Sequence, residues 1–237
     1  MTSKSLFKPV SPGNRLIELL PKKDRLRFVA ACDSVDLPLG QVLSDSGKPT
    51  KYVYFPTHGF ISLVAVVKGS PGVEVGIVGR EGMLGVQLAL GVSKAPLHAL
   101  VQGAGTAWRI STKAFNAELA ASPALQSNMQ RYLYVLMAQL SESIACVRFH
   151  QVGPRLARWL LMSQDRSNTN SFAFTQEFLA YMLGVRRVGV TAAAGALQKS
   201  GLISYSRGKL TVLNRKGLEQ AACSCYAVDQ KTYKELF

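Results

Sequence analysis

Acidic residues are the scarce class in this chain. Asp and Glu number 14 against 28 Lys and Arg, a formal net charge of +14 over 237 residues. Such a molecule is drawn to polyanions before any specific contact forms. Cysteine is scarce too, with Cys32, Cys146, Cys223 and Cys225 scattered along the sequence, so a disulfide framework is excluded and a reducing compartment, the bacterial cytoplasm, is expected. No apolar run reaches the roughly 20 residues of a membrane-spanning helix, and no charged-then-apolar leader is present. His58, His98 and His150 are isolated, and a lone histidine is more often structural than a ligand. With no phosphate loop, no metal-spaced His and Glu pair and no nucleophile elbow, neither an enzyme nor a metal or other cofactor is expected. Cys223-Ser224-Cys225 reads as a pair of ordinary thiols near a surface terminus, with a redox pair as the lesser reading.

The richest stretch runs from Phe174 to Glu219. Thr175 is an N-cap candidate followed by Gln176 and Glu177, and Phe178, Leu179, Met182 and Leu183 give an apolar face that stops at Gly184. Two crossed helices need a small residue at the crossing, a turn residue tolerant of positive φ and an apolar plug from the second helix. Ala180, Gly184 and Val190 supply them in order. In the second helix Val190, Ala193, Ala194 and Leu197 share one side, leaving Arg187, Val188, Thr191, Ala192, Gly195 and Lys199 outward. Two β-rich runs, Leu202 to Ser206 and Lys209 to Leu213, then meet across Arg207-Gly208 as a hairpin with a basic tip. Together these segments form a winged helix-turn-helix. Ten basic residues against two acids between Arg155 and Gly217 place the charge excess in the same region.

Upstream, Asn14 can cap one short helix and Pro21 can open another reaching about Cys32. From Val35 to Ile110 short β-rich runs alternate with turn-spaced glycines, Gly69 among them, as in a small antiparallel roll. Ser122-Pro123 then starts a helix in which Leu125, Met129, Leu133, Leu136, Leu140, Ile144 and Val147 recur at steps of three and four. A stripe of some 40 Å outlasts what one small roll can cover. One side is therefore expected to pack on the roll, and Met129, Leu133, Leu136, Leu140 and Ile144 to meet a second protomer. The segment from His150 to Pro154 breaks the helix, with Gly153 as the bend.

The expected fold class is α+β: a roll with N-terminal helices over 1–122, a dimerisation helix and hinge over 123–150, and a winged helix-turn-helix over 151–237. This order, with RLARWLL, TQEFLAYMLGVRR, LQKSGLISYSRGKLTVLN and VGIVGREGMLGVQLALG as the carrying segments, resembles the Crp/Fnr family of bacterial transcription regulators over nearly the whole chain. The resemblance implies a cyclic-nucleotide-binding-like roll and a homodimer on two-fold related double-stranded DNA, with the second helix in a major groove and RNA polymerase as a candidate partner. By position it implies that Arg187 reads a guanine and that Arg186 touches phosphate, within a DNA-binding set of Thr175, Gln176, Arg186, Arg187, Val188, Thr191, Lys199, Arg207 and Lys209. It also implies an effector pocket near Glu81, Met83, Val86, Lys94 and His98. The pattern departs from the family in the second helix, where Val188 replaces an acidic residue and Ala192 a second arginine. It departs again in the roll, where Val86, Leu97 and His98 stand at the ribose and phosphate positions of cyclic-nucleotide binders. A buried phosphate without an arginine is poorly neutralised, so cyclic AMP is not expected as the effector. Lys94 is either a substitute cation or a solvated loop lysine, and Glu81 either a pocket acid or the partner of a turn salt bridge. The competing functional class is a sensor or scaffold whose winged helix docks a protein. Five cations on one surface, Arg186, Arg187, Lys199, Arg207 and Lys209, favour DNA.

Overall fold

The computed structural model describes residues 13–68, 72–167 and 169–237; the turn expected at Gly69 lies outside them. Asn14 caps α1 (Arg15–Glu18), its side-chain oxygen accepting from the Leu16 N–H at 3.1 Å, and Pro21 precedes α2 (Lys22–Ala30). The roll follows as β1 (Asp33–Leu37), β2 (Val42–Ser44), β3 (Tyr52–Ala65), β4 (Val73–Val78) and β5 (His98–Ser111). Its antiparallel sheet has the order β1-β5-β3-β4, with β2 also paired to β5. The two 14-residue strands, β3 and β5, are too long to stay flat. Their register slips around Pro56, His58 and Phe60, where Pro56 lacks a donor and Gly59 takes φ +74° against the Gly103 and Ala104 carbonyls. Bulges of this kind bend and twist a sheet until it closes on itself.

A helix not foreseen from the sequence, α3 (Thr112–Ala121), links β5 to α4 (Pro123–Phe149). Ser122 caps α4 by accepting from the Leu125 N–H at 3.1 Å. Leu125, Met129 and Tyr132 of α4 are buried with Phe28, Phe55 and Phe115 in the core of the roll. Met129 is 0% exposed, which removes it from the expected dimer stripe: it faces its own roll. The outward apolar face is instead Leu133, Met137, Leu140, Ile144 and Val147, at steps of four, three, four and three. Met137 and Ile144 are 66% and 69% exposed.

The helix breaks at His150, which is extended at φ −105°, ψ 145°. Gly153 and Pro154, expected at the bend, lie inside the first turn of α5 (Val152–Ser167), where a proline loses no hydrogen bond. There follow β6 (Ser171–Ala173), α6 (Gln176–Leu183), α7 (Arg187–Lys199), β7 (Ile203–Ser206), β8 (Lys209–Val212), α8 (Arg215–Ala221) and α9 (Cys225–Leu236). The wing is a three-stranded antiparallel sheet of order β6-β8-β7.

One core joins the roll to the winged helix, with Phe60, Val64 and Ile77 packed among Leu156, Trp159 and Leu160. Polar contacts cross the same junction. Trp159 Nε1 donates to Glu74 Oε1 at 2.7 Å, and Arg166 Nε pairs with Glu81 Oε1 at 2.6 Å. Burial pushes the Glu74 carboxyl up to about 7, against hydrogen bonds from Ser62 and Trp159 that favour its charged form. Because the folded-state value is raised, the neutral form's contribution is whole below the ordinary carboxylate range and is lost as pH rises through about 7. Glu74→Gln keeps the acceptor for Trp159 without the charge. It is expected to be more stable than the parent by about 3 kcal/mol at pH 8 and by no more than about 1 kcal/mol at pH 5. Urea denaturation at the two pH values checks this, and parallel profiles would show that Glu74 ionises freely.

Candidate nucleic-acid interface

The helix-turn-helix is set by local chemistry. Thr175 accepts from the Phe178 N–H at 3.1 Å and so starts α6; Gly184 ends it at φ +62°. An added Cβ at Gly184 would meet Val73 Cγ2 at 3.0 Å, so backbone conformation and close packing both demand glycine there. Val190, Ala193, Ala194 and Leu197 of α7 are buried against α5 and α6. Their burial turns Arg187, Val188, Thr191, Ala192, Gly195 and Lys199 outward, Val188 at 78% exposure. A Cβ on Gly195 would meet nothing within 4 Å, so this face is shallow as well as exposed.

Arg186 is the N-cap of α7 and Arg187 its first residue. Gln176 ties the two helices together by accepting from the Thr191 hydroxyl at 2.7 Å, and that hydroxyl also lies 3.1 Å from the Arg187 carbonyl oxygen. The Thr191 hydroxyl is thus engaged within the protein. At the wing tip Arg207 and Gly208 both take positive φ, +49° and +77°, the pattern of a two-residue type I′ turn. Asn or Gly would adopt it with less strain than arginine. The Tyr205 hydroxyl donates to the Phe174 carbonyl at 2.8 Å, fixing the wing to the start of α6. Lys199 stands at the far end of α7, roughly 18 Å from Arg187 along the axis.

The ten basic residues between Arg155 and Gly217 divide into two groups. Arg158 pairs with Asp229 at 2.6 Å, Arg166 with Glu81, Arg215 with Asp165 at 2.7 Å, and Arg155 donates to the Leu183 carbonyl. These four serve the fold. Arg186, Arg187, Lys199, Arg207, Lys209 and Lys216 have no ion-pair partner among the described residues, and all six are exposed.

Residues 154–221 match the Crp-like helix-turn-helix domain. The chain also resembles the global nitrogen regulator of Synechococcus elongatus, at 24% identity over 191 residues, 76% of this chain and 86% of the relative. The fold of nearly the whole chain recurs in a transcriptional regulator of the Crp/Fnr family from Eubacterium rectale, with TM-score 0.68, 16% identity, and 88% of this chain and 98% of that one covered. FixK2 from Bradyrhizobium japonicum superposes with TM-score 0.68 at 12% identity over 81% of this chain and 98% of that one. The helix-turn-helix region, residues 154–221, is therefore Crp-like. The fold of nearly the whole chain is that of Crp/Fnr regulators, a cyclic-nucleotide-binding-like roll followed by a helix-turn-helix.

In the roll a cavity of about 490 Å³ opens between the sheet, the turn Val86–Leu90 and α4. Its walls are mostly apolar, with Leu63, Met83, Val86 and Leu97 facing Leu133, Leu136, Met137, Leu140 and Ile144 of α4, and Ser44, Thr50, Tyr52 and Gln87 as the polar exceptions. Met83 and Val86 line it; the other three residues expected there do not. Glu81 turns away to Arg166 and also accepts from the Gly79 N–H. Lys94 is exposed beside Pro49, and His98 Nδ1 faces Asp45 Oδ1 at 2.9 Å. No cationic side chain lines the cavity among the described residues.

The thiols also depart from expectation. Cys223 and Cys225 are buried, not at a loose terminus, because α9 folds back along α4 and brings them to Cys146 and His150. His150 is therefore not isolated. The sequence carries two weak signals, Cys146 and His150 one helical turn apart and a Cys-x-Cys near the other end, with nothing local to connect them.

Proposed function

We propose that the protein is a sequence-specific regulator that binds a two-fold related operator as a homodimer in the cytoplasm, with a roll that takes an apolar effector and not cyclic AMP. The observation that carries the DNA reading is the set of exposed cations, without ion-pair partners among the described residues, at the start of α7 and the tip of the wing: Arg186, Arg187, Arg207 and Lys209. Within the shared α5–α9 scaffold these sit at the two places from which a winged helix reaches a groove and its flanking phosphates. A protein-docking wing has no use for a strained arginine at its tip, so the scaffold alternative is the weaker reading.

The dimer reading rests on α4. Most of its outward apolar face, Leu133 to Ile144, also forms the open wall of the roll cavity, so a second α4 laid on it would close the cavity and bury the face together. An apolar chamber with no arginine or lysine cannot neutralise a cyclic phosphate, and a neutral or largely hydrocarbon ligand suits it.

Selection of sites from random duplex DNA tests the function. The expected winners carry two inverted half-sites about one helical turn apart, centre to centre. Binding that shows no sequence preference and only a steep salt dependence would reduce the protein to a general polyanion binder. Calorimetry with cyclic AMP at physiological concentration is expected to show no heat. Micromolar affinity would mean that a cation from outside the cavity wall, Lys94 first, swings in.

A further inference from the structure

Two pairs of metal-seeking side chains, far apart in sequence, meet where the long helix ends. Cys146 lies in the last turn of α4 and His150 is that helix's C-cap; Cys223 lies between α8 and α9, and Cys225 is the first residue of α9. Their donor atoms all lie within 4.8 Å of one another. Cys146 Sγ is 3.5 Å from Cys223 Sγ, and Cys225 Sγ is 3.5 Å from His150 Nδ1. The three cysteines are buried and the histidine is half-buried.

Tetrahedral zinc, with Zn–S about 2.3 Å and Zn–N about 2.0 Å, holds its ligand atoms roughly 3.5–3.8 Å apart. The two close pairs already have that spacing, and the widest separation has only about 1 Å to close. A disulfide fits less well. Its sulfurs would stand about 2.0 Å apart, and pairing two cysteines would leave the third and the histidine facing each other without a task. A multi-iron cluster spreads its thiolates over several irons, whereas four donors packed this tightly enclose one ion. Charge is consistent with a single zinc as well. Three thiolates and a neutral imidazole around one dication leave about one negative charge, and Arg155 and Arg158 border the same small cavity as Cys146.

We propose that Cys146, His150, Cys223 and Cys225 form a structural zinc site that pins the end of the dimerisation helix to the last helix of the winged-helix unit. One ligand, His150, is itself the extended residue at which α4 gives way to α5. An ion there fixes the angle between the helix that carries the roll and the unit that carries the recognition helix. Closing a loop of more than 70 residues, it also supplies folding free energy to a junction otherwise held by side-chain packing and a few polar contacts.

The test uses the full chain, purified without a histidine tag and under reducing conditions. Elemental analysis is expected to find about one zinc per chain, and exchange for cobalt to give sulfur-to-cobalt charge transfer with the intense visible bands of a tetrahedral site. Cys146→Ser and Cys225→Ser are each expected to lower bound metal at least about tenfold at equal chelator concentration, while Cys32→Ser, at a distant position, leaves the stoichiometry unchanged. Should the ligand variants fail to fold, the cobalt spectrum of the parent decides alone. A parent chain that holds less than about a tenth of an ion after incubation with zinc and shows no thiolate-to-cobalt band would overturn the proposal. An iron–sulfur absorption spectrum, or a Cys146–Cys223 disulfide persisting under reduction, would overturn it equally.

Discussion

Replacing Met137 and Ile144 with glutamate is expected to turn the protein into a folded monomer that no longer holds its operator. Both side chains are largely exposed in the single chain, and glutamate is a good helix former, so neither change should disturb α4 or the roll beneath it. In a dimer joined along α4 the two positions occur twice. Four carboxylates would then enter an apolar seam without partners, and each buried unpaired charge costs several kcal/mol. The dimer cannot bear that. Once dissociated, the two winged helices no longer share one effective concentration, and operator affinity is expected to fall by about 10²- to 10⁴-fold. Sedimentation at micromolar concentration, a far-ultraviolet spectrum and an operator titration together check this. A variant that stays dimeric would place the interface elsewhere. An unmodified chain that is already monomeric at that concentration would remove both the dimer and the two-fold operator.

The choice of residues shows what the sequence alone can and cannot supply. Steps of three and four from Leu125 to Val147 identify an amphipathic helix, because the side-chain direction repeats every 3.6 residues. They do not say which partner each residue meets. Leu125 and Met129 are buried in the roll while Met137 and Ile144 stay largely exposed at the rim of its cavity, and that division depends on where the roll sits, which no local pattern encodes. The helix-turn-helix is legible for the opposite reason. Its cap at Thr175, its glycine at 184 and its plug at Val190 interact within one stretch of chain, so spacing alone carries the geometry.

Helices α3 and α8 and strand β6 are short, and beyond the caps at Ser111 and Asn214 their faces are defined by what they pack on, so the sequence singles them out only weakly. Charge misleads in part for a related reason. Arginines inside the fold and arginines facing solvent count alike in composition, and only the ion pairs with Asp229, Glu81 and Asp165 and the Arg155 bond to the Leu183 carbonyl separate the two groups. The Cys and His cluster is the least legible feature, since both of its halves are commonplace and only the return of α9 along α4 joins them.

Arg187→Ala should change what the protein reads, whereas Arg207→Asn and Lys209→Ala should change only how tightly it holds. Arg187 is the first residue of α7, exposed and without an ion-pair partner among the described residues. From there a guanidinium can present two donors to guanine O6 and N7. Its loss is expected to cost roughly 1 to 3 kcal/mol on the preferred operator and to relax the preference at one guanine in each half-site. Arg207 and Lys209 flank the wing's turn, where pairing with a phosphate is sequence-blind. Asparagine tolerates the positive φ at position 207, so Arg207→Asn removes the charge without breaking the turn. Each wing variant is expected to weaken every sequence by the same factor and to lower the slope of log K against log salt by about one unit for each phosphate no longer neutralised. Arg186, one residue earlier and outside the helix, should behave like the wing. The measurement is site selection from random DNA with each variant, followed by salt titration on the winning sequence. If the Arg187→Ala protein selects the parent's sites and merely binds them less tightly, Arg187 pairs with phosphate, and base reading falls to the rest of the α7 face, with Val188 the most exposed of its large apolar side chains.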